Sequence, residues 1–114
     1  MINYELIGNR IVRRSLLQDL LQKYTIEIYN FDKNDNYKNV VSELDHLAYL
    51  NTLHDLIKVL SLNDFGRLKM TIEVIEKCLS GSHSEDIKPY YEGMYSAYKE
   101  FTNYISMLED SDDI

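Results

Sequence analysis

With one proline and four glycines in 114 residues, the chain has few points at which its backbone is made to reverse. A β-sandwich or barrel needs turn residues about every 8–12 positions, so long helices are what this sequence predicts. The apolar spacing agrees. Leu6, Ile7, Ile11, Leu17, Leu20, Leu21 and Tyr24 recur mostly three or four apart and line one face of a first helix. The stretch Thr25–Tyr29 alternates like a strand, but Tyr24, Ile28 and Phe31 also keep the helical period. A lone strand would leave its backbone unpaired, so the first helix is expected to continue to about Asn30.

The polar cluster Asp32–Asn36 ends that helix, and Asp35 or Asn36 can cap the next. A second helix carries Tyr37, Val40, Val41, Leu44, Leu47 and Ala48, then Leu50, Leu53, Ile57 and Leu60 in a slightly shifted phase. That shift allows a break near Asn51. Ser61–Asp64 supplies cap chemistry for a third helix with Leu68, Ile72, Ile75 and Leu79 as its stripe, and Gly81 is expected to stop it in a left-handed C′ conformation. After the loop Ser80–Asp86, Pro89 suits a first helical turn. Tyr91, Met94, Tyr98, Phe101, Ile105 and Leu108 then follow an a/d pattern of a heptad and describe a seam in a fourth helix. Short connections make successive helices antiparallel. The expected fold is all-α: one domain over residues 1–114, an antiparallel bundle of about four helices, with residues 109–114 as an acidic tail that frays.

Hydrophobic residues at 45% and charged residues at 27% fit a globular chain. No apolar run reaches the roughly 18 residues that a bilayer requires, and Glu5 comes too early for the apolar core of a signal peptide. The single cysteine, Cys78, has no internal partner, which fits a reducing, cytoplasmic setting. Net charge is -7 and is polarised along the chain. Residues 1–24 are net +2, with Arg10, Arg13, Arg14 and Lys23, whereas residues 84–114 place eight acidic residues against Lys88 and Lys99. Such a surface repels phosphate backbones, so neither nucleic acid nor membrane is an expected partner.

Catalytic motifs are thin. Glu43 and His46 have the Glu-x-x-His spacing of bundle di-metal sites, but a second copy is missing: His54 follows Asn51, and His83 falls in a loop. A solvated polar stripe explains the pair more simply. Cys78 sits where the helix dipole disfavours a thiolate. No phosphate loop, nucleophile elbow or paired Cys-x-x-Cys is present. Neither a cofactor nor a metal is expected, and the three closely spaced arginines read as intramolecular partners for acidic neighbours.

The unusual feature is tyrosine, ten in number with no tryptophan and five of them in the fourth helix. Rings beside carboxylates either cover a core edge or anchor a basic partner. The second reading places a partner-binding surface on Tyr90, Glu92, Tyr95, Glu100 and Tyr104. The function expected from it is non-enzymatic: an acidic protein that neutralises a protein partner, such as an immunity protein or antitoxin blocking a basic, nuclease-type bacterial toxin. Alternatives are a phage-encoded inhibitor, a module that homodimerises through the fourth-helix seam, and a helical-bundle enzyme or metal protein with a dispersed site.

Overall fold

A computed structural model describes residues 2–33 and 40–110. The described residues are all-α and form five helices: α1 (Tyr4–Ile7), α2 (Arg10–Lys33), α3 (Val40–Ser61), α4 (Phe65–Ser80) and α5 (Lys88–Glu109). Asp35 and Asn36 as caps, and the acidic tail after Asp110, lie outside the described residues, as does the side chain of Glu43.

The expected first helix is two. Asn3 Oδ1 accepts from Leu6 N at 3.1 Å and starts α1, and one turn later Asn9 Oδ1 accepts from Ile11 N at 2.8 Å and starts α2 afresh. This break resets the phase. Val12, Leu16 and Leu20 are the buried row of α2, while Ile11, expected in the core, is 78% exposed and Leu21 is also exposed. Residues 25–29, ambiguous in sequence, are helical.

The freed carbonyls at the break are claimed by Arg13. Its Nη1 donates to Ile7 O at 3.1 Å and Gly8 O at 2.6 Å, and its Nη2 donates to Asn63 Oδ1 at 2.9 Å in the α3–α4 turn. The guanidinium also lies 5.6 Å from the centroid of the Phe65 ring. At 8% exposure Arg13 is a buried brace between α1, α2 and that turn.

α3 runs unbroken through Asn51, and the apparent phase shift has another cause. The helix packs against α2, α4 and α5 together, so it buries more than half its circumference, including Ala48, Leu50, Thr52, Leu53, Leu56 and Leu60. Asp64 caps α4 as expected, accepting from Arg67 N at 3.1 Å. Gly81 does not take the left-handed conformation: its φ of -79° and ψ of 169° are extended. Among the described residues the left-handed one is Asn63, with φ 54°.

Successive helices alternate in direction. Tyr24 of α2 faces His54 of α3, and Tyr98 of α5 reaches back to Glu76 of α4. The most extensive contact, however, is between α3 and α5, which run parallel. Asp45 meets Gly93, and one turn further Tyr49 lies in the field of Glu100 and Tyr104. Small residues make this possible. A Cβ on Gly93 would overlap the Asp45 carbonyl oxygen, and Ala48 and Ala97 are fully buried. The central row of α5 is therefore Gly93, Ala97, Phe101 and Ile105, spaced by four, with Met94, Tyr98 and Leu108 of the expected seam half-buried beside it. Phe101 is fully buried; removing a side chain of that size from water contributes about 1.5–3 kcal/mol. All five helices supply residues to one hydrophobic cluster, and the molecule measures 43 × 33 × 25 Å. No helix of the described residues is long and apolar enough to cross a membrane.

Candidate functional site

The five residues proposed for partner binding do not share a surface. They spread over more than half of the helix circumference. Glu92 and Tyr95 face solvent, Tyr95 at 54% exposure, beside Leu79, His83 and Ser96. Tyr90 is half-buried and turns toward the space between α3 and α4. Glu100 and Tyr104 are also half-buried, not on the solvent side, and face the flank formed with α2 and α3.

That flank gathers an acidic, aromatic group that the sequence did not connect. Tyr104 donates to the Glu100 carboxylate, one turn away. Burial, then the charge of Glu100, its hydrogen bond and the charge of Asp19 push the Tyr104 hydroxyl up to about 12. Tyr49, central on α3, is raised further, first by burial and then by Glu100, Glu27 and Tyr104. Two helices thus direct carboxylates (Asp19 and Glu27 from α2, Glu100 from α5) at two tyrosine hydroxyls, Tyr49 on α3 and Tyr104 on α5. Lys23 offsets part of this charge through its 3.4 Å pair with Glu27. Tyr24 against His54 at 6.0 Å and His46 against Tyr49 at 6.3 Å extend the ring surface along α3.

A second tyrosine–carboxylate group ties α1, α4 and α5. Tyr98 donates to Glu76 at 2.5 Å, Tyr4 lies in the field of Glu76 and Glu73, and Lys69 Nζ sits 5.4 Å from the Tyr4 ring centroid. Burial is the largest cause raising both hydroxyls. Here each ring has a partner within the fold. The third histidine, His83, stacks on Tyr91 at 3.4 Å and packs the α4–α5 loop onto α5. Cys78 is half-buried on α4. Among the described residues no three His, Cys, Asp or Glu side chains converge as a metal site would require.

The signal for the α2–α3–α5 flank was present only in part. Tyrosine abundance and acidity pointed to a ring-and-carboxylate surface, but Asp19, Glu27 and Tyr49 are brought to it by tertiary packing. Comparison of the chain with protein families, with curated proteins and with solved structures returns no match.

Proposed function

We propose that this chain is a non-enzymatic acidic protein that binds and neutralises a basic protein partner in the cytoplasm, in the manner of an immunity protein or antitoxin against a nuclease-type toxin. The observation that carries the reading is the convergence of Asp19, Glu27 and Glu100 on Tyr49 and Tyr104. The negative field that opposes tyrosinate formation there also attracts a Lys or Arg side chain, and the half-buried rings offer flat area at small entropy cost. A nuclease is basic because it binds phosphate, so an inhibitor of net charge -7 meets it quickly and excludes its substrate.

The test begins with capture of the partner from the source cells by the tagged chain, followed by surface plasmon resonance of the purified pair. The association rate should fall as salt rises, since charges are screened over about 8 Å at physiological ionic strength. Reversing Glu27 and Glu100 to Lys should slow association about tenfold or more at low salt. Glu92→Lys, on the other face of α5, should do much less. A rate indifferent to salt and to the Glu27 and Glu100 reversals would remove this flank, and the charge argument with it.

A further inference from the structure

α2 packs on α1, α3 and α5, and its remaining side faces solvent. Ile11 and Tyr29 are separated by five full helical turns, so they project in the same direction, and Gln18 and Gln22 lie within about 20° of the line between them. All four are exposed, Ile11 at 78% and Tyr29 at 61%. The row has apolar ends and an amide centre and is about 27 Å long at the rise of a helix. Asp19 and Glu27 are half-buried on the flank toward α3 and α5, so among the described side chains this outer face holds no carboxylate. Its charges are Arg10 and Arg14, exposed near the N-terminal end and without an ion pair among the described residues.

The row is symmetric about position 20: Ile11 mirrors Tyr29, and Gln18 mirrors Gln22. A second copy laid antiparallel therefore meets it apolar end to apolar end and amide to amide, the self-complementarity that a two-fold contact requires. The same arrangement is complementary in charge. It sets Arg10 and Arg14 beside the last turns of the second copy's α2, the negative end of that helix dipole. A parallel copy would instead bring arginine against arginine. On a chain of net charge -7, a face without carboxylates is also where two copies approach with least repulsion.

We infer that this chain forms a two-fold dimer through the outer face of α2, with the two helices antiparallel, Ile11 on Tyr29 of the second copy and Gln18 beside Gln22 of the second copy. Contact at both ends takes apolar surface out of water, and the central amides both donate and accept across the axis. One helix pair of this length covers less than the roughly 1,200–2,000 Å² of stable complexes, so half-dimerisation is expected at about 10–100 μM. The acidic flank lies on another side of α2 and stays open to its own partner.

Sedimentation equilibrium of the full chain from about 5 to 500 μM should show a reversible shift from 13.5 kDa to twice that mass. This measurement requires no variant. Gln18→Glu/Gln22→Glu places carboxylates together at the two-fold axis and should raise the dissociation constant about tenfold or more. Gln18→Lys/Gln22→Glu sets each new lysine against a new glutamate only if the helices are antiparallel, so this variant should dimerise at least as well as the parent. Met70→Glu/Val74→Glu, on the exposed face of α4, should leave the dimer unchanged. All three double variants alter exposed side chains and should keep the helical circular dichroism of the parent. A chain still monomeric at about 500 μM would overturn the inference and leave α2 to a foreign helix. So would a dimer indifferent to Gln18→Glu/Gln22→Glu, or a Gln18→Lys/Gln22→Glu variant that dimerises as weakly as the doubly acidic one. Loss of the dimer in the α4 variant would overturn it as well, by assigning the contact to α4.

Discussion

Two requirements meet at Asn63: a left-handed backbone and an oxygen for Arg13. Substitutions separate them. Aspartate keeps both, glycine keeps the backbone alone, and alanine keeps neither. Left-handed φ costs a Cβ-bearing residue about 1–2 kcal/mol, and a lost hydrogen bond to a charged group about 1.5–3 kcal/mol. Urea denaturation should therefore rank stability as Asn63→Asp above Asn63→Gly above Asn63→Ala. Equal midpoints for the glycine and alanine variants would show that the conformation carries no cost. The sequence suggested none of this. Arg13 read as one of three surface cations because nothing in a helical apolar pattern announces that Gly8 and Asn9 interrupt it. The interruption creates the buried carbonyls that a cation then satisfies, so Arg13 stays in while Arg10 and Arg14 remain exposed.

Helices are where the sequence was most legible. Asp64 as a cap and Pro89 in a first turn were readable because each acts on backbone groups within one turn of itself. The rotation of α5 was not, since Gly93 and Ala97 add nothing to an apolar count, yet their smallness lets α3 approach. Two glycines test this. A Cβ on Gly66 would meet only Asp64 Oδ1 at 3.5 Å, so Gly66→Ala should raise stability by up to about 1 kcal/mol through helix propensity. Gly93→Ala should lower it by about 1–3 kcal/mol or more, because main chain must move to admit the methyl group. Thermal and urea melts of the two variants should shift in opposite directions. A stabilised Gly93→Ala would mean that the α3–α5 seam is looser than its geometry requires.

For the whole molecule, acidity and tyrosine content were plain in the composition, but the grouping of tyrosines with carboxylates depends on how three helices pack. That grouping has a pH consequence. Tyr104 shifts from 10.0 to about 12, and Tyr4, Tyr49 and Tyr98 are raised as well. Between pH 10 and about 12 the unfolded chain has released phenolic protons that the folded chain retains, so stability falls with rising pH. The contribution is complete below the unfolded value and lost as pH passes through the folded one. Denaturation midpoints should hold steady up to about pH 9 and then drop across this window, with tyrosinate absorbance appearing late and in step with unfolding. Tyrosinate titrating at its ordinary value without loss of stability would show that the hydroxyls are not held by the fold.

The parallel α3–α5 seam also sets an order of events in time. An antiparallel hairpin such as α3–α4 closes a short loop and forms early, but α3 can meet α5 only after the chain has passed along α4 and back. Contacts so far apart in sequence are closed at greater entropic cost and tend to form late. Ala97→Gly should then steepen escape from the native state and barely slow its formation: in stopped-flow measurements the unfolding limb rises while the refolding limb stays nearly in place. If the last contact to close is the first to open, α5 should detach transiently and carry the buried Phe101 and Ile105 into solvent, so limited proteolysis of the native chain should cut first in or beside α5.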